Sequence, residues 1–343
     1  MSVKIGTSDI TFKVGSADCT VYLGSTLVYN PTPTPHDYSL DYLTFKATED
    51  GTFSFSGNSI DYSLDNGTTW TTLASNTDSP TVASGNTILW KATGLTPTSS
   101  SGIGRFSSTG RFTVEGNAMS LYYGDDFTGQ TDLTGKDYAF YVLFSGCTAL
   151  TSAENLVLLA TTLASSCYDN MFRNCSGLTT PPILSATTLA SSCYQSMFNG
   201  CTSLTTAPSL PAIDLPKNCY KGMFQGCTSL TKAPELHASV VGDGSYYYMF
   251  RNCSSLSEIT CLATSFVNGY STSGWVNGVA ASGTFTKAAS MNDWSSGASG
   301  IPNGWTVVNY GGSNLEGNND TPPELGATAD AEYYFDNFRI TRI

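Results

Sequence analysis

Charge is what this chain has least of. Only 12 % of its 343 residues are Asp, Glu, Lys or Arg, and acids outnumber bases 27 to 15, for a net charge of -12. A surface of that sign repels phosphate backbones, so nucleic acid is excluded as an expected partner. Histidine is almost missing: His36 and His237 are the two in the chain, and no Cys-x-x-Cys pair occurs, which leaves zinc without a ligand set. No apolar run approaches the ~20 residues that span a bilayer, and membrane insertion is not expected. The start, MSVKIGTSDITFKV, has neither a basic n-region nor an apolar h-region. The expectation is therefore a protein made in a cytoplasm, without a secretory signal. There is also no Gly-x-Ser-x-Gly elbow, phosphate loop or metal-spaced histidine pair, so neither an enzyme nor a cofactor is expected.

Cysteine, by contrast, is plentiful, with ten in the chain. Seven of them, Cys167, Cys175, Cys193, Cys201, Cys219, Cys227 and Cys253, recur at fixed places in a phrase of the form Cys-Tyr-x-x-Met-Phe-x-x-Cys-x-x-Leu, and Cys147 is in phase with them. Aligned on the second cysteine, Cys147, Cys175, Cys201, Cys227 and Cys253 follow at intervals of 28, 26, 26 and 26 residues. Phe144, Phe172, Phe198, Phe224 and Phe250 stand three residues before these cysteines, and Leu150, Leu178, Leu204, Leu230 and Leu256 three after. The three- and four-residue spacing predicts a short helical turn with Tyr, Met and Phe on one face. One unit cannot bury that stripe alone, whereas stacked units cover one another, which predicts a solenoid. The cysteines read as small buried hydrophobes whose S–H points at loop carbonyls, and in a reducing cytoplasm they stay thiols.

Phe-x-x-Cys-x-x-Leu followed by a Pro corner resembles the BspA-type leucine-rich repeats of bacterial surface proteins, over residues 138 to 265. The segment GTFTKAASMNDWSSGASGIPNGWTVV, 283 to 308, is similar to that family's closing element, and Trp294, Ile301, Pro302 and Trp305 are expected to roof the last unit.

Upstream, GTFSFSG and RFTVEG alternate in the manner of strands. Between them Asp65-Asn66-Gly67 is a hairpin turn, and Ser63-x-Asp65-x-Gly67-x-Thr69-Trp70 resembles the Asp-box of sialidases and other β proteins. A sialidase-like site needs an arginine cluster, and this region has only Arg105 and Arg111. A folding hairpin is the expectation, with a glycan-active enzyme a distant third reading of the chain.

The expected fold class is mainly β with short helical turns. Its segments are anchoring β-hairpins at 1–30, a Pro spacer at 31–36, a small β-sandwich at 37–132, a leucine-rich-repeat solenoid at 133–265, a cap at 266–310, a linker at 311–331 and a terminal β-strand at 332–343. Thirty residues of hairpin hold no core of their own, and the terminal strand, with Phe338 and Ile340 alternating with Arg339 and Thr341, has no neighbour in sequence. Both are expected to dock on something else. The phrases VYLGSTLVY, VEGNAMSLYYGDDF and CYxxMFxxCxxL are similar to attachment and fibre-like virion proteins of tailed phages of gut bacteria, the crAss-like phages among them. That resemblance implies a head or tail fibre or decoration subunit, assembled in the host cytoplasm. It would join other virion proteins through residues 1–30 and 332–343, associate as a homo-oligomer, and present a surface to a host glycan or protein. A bacterial cell-surface adhesin of the BspA type is the alternative.

Candidate ligand-facing aromatics are Tyr247 and Tyr248, where three tyrosines replace the repeat's one, and Trp275 in the loop STSGWVNG. Closing the end of the stack is the competing role for all three. Asp125, Asp126 and Asp243 are read as solvated acidic turns in preference to a calcium site, and His237 as a solvated corner residue.

Overall fold

The computed structural model describes residues 36–311 with their side chains, Ser100 and Asp293 excepted, and the backbone of six short strands outside that range. The chain divides into two units, 1–310 and 311–343. It is mainly β, and Ser120–Tyr123 is the one α-helix among the described residues. In the first unit β1 (Ser2–Ile5) pairs antiparallel with β2 (Ser8–Thr11), and β3 (Val21–Leu23) with β4 (Thr26–Tyr29). The spacer at 31–36, His36 apart, and the linker beyond Gly311 lie outside the described residues.

Eight strands follow: β5 (Leu43–Ala47), β6 (Phe53–Phe55), β7 (Ile60–Ser63), β8 (Thr71–Leu73), β9 (Thr87–Lys91), β10 (Phe106–Ser108), β11 (Phe112–Asn117) and β12 (Leu150–Val157). Six of them form one sheet in the order β12-β11-β5-β9-β7-β8, and β10 pairs with β6 as a separate ribbon. Alternation is the cause: Phe53 and Phe55 are buried while Ser54 between them is not. Their rings meet those of the large sheet, with Phe45 lying 5.4 Å from Phe53, 4.8 Å from Phe106 and 4.9 Å from Phe112. Full burial of each such ring contributes about 1.5–3 kcal/mol. Ser120 stitches the sheet to the helix, since its hydroxyl accepts from the Leu43 N–H at 3.0 Å and donates to the Trp90 carbonyl at 2.9 Å.

The hairpin between β7 and β8 is held by Asp65. Its carboxylate accepts from the Thr69 N–H at 2.8 Å, the Thr69 hydroxyl at 2.7 Å and the Ser63 hydroxyl at 2.7 Å. These bonds, the Thr69 backbone first, hold its pKa down at about 2. Three hydrogen bonds tie the carboxylate into the turn, the arrangement of a folding device.

No boundary in packing falls at 132/133. Strand β12, from the first repeat unit, lies parallel on β11, and Phe106 stacks on Phe144 at 5.8 Å. The rings then continue one per unit: Phe144 to Phe172 at 5.4 Å, Phe172 to Phe198 at 5.5 Å, Phe198 to Phe224 at 5.6 Å and Phe224 to Phe250 at 5.7 Å, each pair within 10° of parallel. A second ladder, Phe140, Tyr168, Tyr194 and Tyr220, runs beside it at 5.5 to 6.0 Å.

The expected helical turn is absent. In its place each unit carries a ribbon of overlapping β-turns. Tyr168, Asn170 and Phe172 donate their N–H groups to Cys193, Gln195 and Met197 of the next unit, at 2.9 Å each. The residues between, Asp169, Met171 and Arg173, donate to carbonyls three back, at 3.1 to 3.2 Å. A helix would use every N–H inside its own unit. The ribbon uses half of them to bind neighbouring units, and so leaves no buried backbone donor unmet along this run. Its geometry needs positive φ at every fourth residue: Ser166, Asn170 and Asn174 (54°, 57°, 60°), then Ser192, Ser196 and Gly200 (57°, 51°, 76°). Asn and Gly tolerate that region, and at Gly200 a Cβ would also meet Asn174 Oδ1 at 2.3 Å.

At the far end β14 (Glu258–Cys261), β16 (Thr284–Lys287) and β17 (Thr306–Asn309) form a parallel sheet, while β13 (Val240–Val241) pairs parallel with β15 (Ser265–Phe266). In the second unit, β18 (Tyr333–Asp336) pairs antiparallel with β19 (Arg339–Arg342). The single terminal strand expected at 332–343 is thus corrected to a hairpin of two paired strands. Phe338 lies outside the described residues.

Candidate binding face

The turn ribbon alternates between side chains that enter the stack and side chains that leave it. Cys167, Tyr168, Met171 and Phe172 are all at most 1 % exposed, and their counterparts in the next units are equally buried. The outward positions differ from unit to unit. Immediately after the buried aromatic stand Tyr141, Asp169, Gln195, Lys221 and Tyr247, all half-buried except Asp169, which is covered, and four residues further along stand Ser145, Arg173, Asn199, Gln225 and Arg251. Because the units stack in register, these residues form two adjacent columns, a strip of tyrosine, amide and cationic groups.

The strip's end is its most aromatic part. Tyr246 occupies the buried slot, whereas Tyr247 and Tyr248 are half-buried, with ring centroids 4.0 Å apart. The Lys221 ammonium lies 5.4 Å from the Tyr247 ring centroid, and the Arg251 guanidinium 4.5 Å from that of Tyr248. Tyr248 rests against Gly274, where a Cβ would approach its ring to 2.5 Å. Tyr270, 68 % exposed, lies close by. Nearer the middle, Asp169 is 5 % exposed and accepts from Asn170 Nδ2 at 2.5 Å and Gln195 Nε2 at 3.2 Å. Burial pushes its pKa up to about 7, against the opposing pull of the Gln195 bond, Lys221 and Arg173. Lys221, Arg173 and Arg251 make no ion pair with any carboxylate among the described residues.

Trp275 does not belong to this face, and its expected ligand-facing role is corrected. It is fully buried, stacks 6.0 Å from Tyr246 and 5.6 Å from Trp294, and donates Nε1–H to the Gly300 carbonyl at 2.8 Å. STSGWVNG is a sixth, degenerate ribbon: Gly274 and Gly278 keep the positive-φ rhythm, and Trp275 stands 26 residues after Met249, in the methionine slot. The other closing residues gather over it. Trp294 meets Phe285 and Phe266 edge-on, Pro302 and Trp305 are buried, and Ile301 packs partly buried against the core.

The remaining candidates lie elsewhere, with Asp126 exposed. Asp125 accepts from Tyr42 and Lys91, both at 2.7 Å, and Asp243 pairs with Lys217 at 3.2 Å and accepts from Asn268 at 2.8 Å. His237 lies 3.6 Å from Glu235 in a corner beside a groove of about 470 Å³. A second groove, about 490 Å³, is lined by Ile213, Val240 and Val267 at the opposite corner. The cysteine column is chemically quiet, since burial raises every thiol in it. Reading the repeat for its constant residues overlooks Lys221, Arg251 and Asp169. Reading the same 26-residue register for what varies finds them.

No protein family, characterised protein or solved structure was found to match the chain.

Proposed function

We propose that this chain is a display protein of a tailed-phage virion, a fibre or decoration subunit in which a leucine-rich-repeat solenoid of the BspA type carries a binding face toward the host surface. One observation supports it above the others: the units hold their core residues constant while the half-buried position after the core aromatic changes from Gln195 to Lys221 to Tyr247. A scaffold of fixed interior and variable exterior is the arrangement by which stacked repeats make binding surfaces. The hairpins in residues 1–30 serve in this reading as the joint to the particle, with the C-terminal segment as a second joint.

The test is association with particles. Phage particles purified through a density gradient should contain the protein at a fixed copy number, and a version lacking residues 1–30 should fold but be missing from them. Fractionation with a bacterial envelope instead would replace this reading with that of a cell-surface adhesin.

A further inference from the structure

We propose that the end of the strip formed by Lys221, Tyr247, Tyr248 and Arg251 binds an acidic polysaccharide, one whose sugar units carry carboxylates. The proposal rests on reading the variable columns as a binding face, and goes further in naming the occupant.

Charge is the first argument. The chain carries a net charge of -12, yet three cations gather on this strip without an ion-pair partner among the described residues. The one carboxylate among them, Asp169, is 5 % exposed and bonded to neighbouring amides. Elsewhere on the repeats Lys217 pairs with Asp243 at 3.2 Å and Lys232 with Glu258 at 3.5 Å, while Lys136 lies over the Tyr122 and Tyr123 rings without an ion pair. A locally positive strip on an acidic protein attracts an anionic ligand while the remainder of the surface repels it from other sites.

The aromatic groups decide the kind of anion. Lys221 and Arg251 are held against tyrosine rings, 5.4 and 4.5 Å from their centroids, which orients each cation without neutralising it. A pyranose ring offers an apolar face to a tyrosine, hydroxyls to planar amides such as Gln195, Asn199 and Gln225, and, in a uronic acid, a carboxylate to guanidinium. A peptide ligand would instead need a pocket for an apolar anchor. The grooves of about 470 and 490 Å³ are lined by other residues, at the corners of the repeat. An extended chain of flat, charged rings fits a shallow strip better than a single deeply bound group does.

The full-length protein should be titrated by calorimetry with polygalacturonate and hyaluronate, with neutral dextran and poly-L-glutamate as comparisons. The expected result is binding to the acidic polysaccharides at least about tenfold tighter than to either comparison, a difference of about 1.4 kcal/mol. Binding should weaken as salt is raised. The Lys221→Gln/Arg251→Gln pair and Tyr247→Ala should each lose at least about tenfold with an unchanged melting temperature. No binding to either acidic polysaccharide, equal binding to dextran or poly-L-glutamate, or undiminished binding by both variants would overturn the proposal. Particle association is measured separately, so a failure here leaves the display reading standing, and a protein that binds the glycan but is missing from particles overturns only that reading.

Discussion

The thiol of Cys201 donates to the backbone carbonyl of Phe172, one unit back, across 3.0 Å. The same carbonyl accepts the N–H of Cys175 from its own unit at 3.0 Å, so both lone pairs are used. Cys175, Cys227 and Cys253 repeat the bond to Phe144, Phe198 and Phe224 at 2.9 to 3.1 Å. Serine could donate here too, but sulfur fills an apolar slot at less desolvation cost.

From this follows a prediction about reactivity. The thiolate is the nucleophile, and burial pushes the thiols of Cys193, Cys253 and Cys261 up to about 12 and that of Cys147 to about 11. Counting thiols with a colorimetric disulfide reagent should find all nine described cysteines silent in the native protein at pH 8 and reactive after denaturation. Rapid native labelling of Cys201 or Cys227 would contradict the packing.

Phe198 lies between Phe172 and Phe224, 5.5 and 5.6 Å away and nearly parallel to both. Phe198→Ala leaves a cavity that neighbours fixed by inter-unit hydrogen bonds cannot fill. A loss of about 3–5 kcal/mol is expected in chemical denaturation. A variant as stable as the parent would show that the stack relaxes freely.

The ladder was legible because a 26-residue period writes the same core residue five times. The ribbon was not, because spacings of three and four suit a helix and a run of overlapping turns equally, and what separates them is backbone φ. The clue lay in Asn170, Asn174, Gly200, Gly222 and Gly226, spaced by four within units, a rhythm diluted by Ser166, Ser192 and Ser196. Trp275 misled because its neighbours are Gly, Ser and Asn, the composition of an exposed loop, when Gly274 and Gly278 serve the ribbon. The pairing of β12 with β11 joins residues nearly 40 apart in parallel and leaves no local mark. At the strip, Tyr247 and Tyr248 were visible as an anomaly in the repeat, whereas Lys221 and Arg251 acquire meaning only once the register places them against those rings.

Val142 offers a test of the ribbon itself. Its φ is 55°, a region where a β-branched residue is strained, and its side chain is only half-buried. The equivalent position one unit on is Asn170, at 57°. Val142→Asn should therefore stabilise the protein by about 1 kcal/mol, removing strain of about 1–3 kcal/mol while losing some apolar contact. A lowered melting temperature would mean that Val142 contributes more by packing than it costs in backbone strain.

Asp169 sets a pH dependence opposite in sign to that of the turn carboxylates. Its folded pKa is raised, mainly by burial, to about 7 from an ordinary 3.8, so between these values the folded chain holds a proton that the unfolded chain releases. The stability linked to that proton is full below about pH 4 and lost as pH rises through about 7. Asp65, held down at about 2, works the other way: its contribution is present above the ordinary carboxylate pKa and lost only as pH falls toward 2. The two are separated by comparing Asp169→Asn with the parent. Asparagine keeps the shape and one acceptor, and Gln195 can turn its amide to meet the new N–H. At pH 4 the two proteins should unfold at nearly the same denaturant concentration. At pH 8 the variant should be the more stable by roughly 2–3 kcal/mol, somewhat less than the full shift implies because the relaxed face admits solvent. A difference that stays flat from pH 4 to pH 8 would mean that Asp169 is ionised throughout. Its carboxylate would then neutralise Lys221 or Arg173, and the positive character of the strip would be correspondingly weaker.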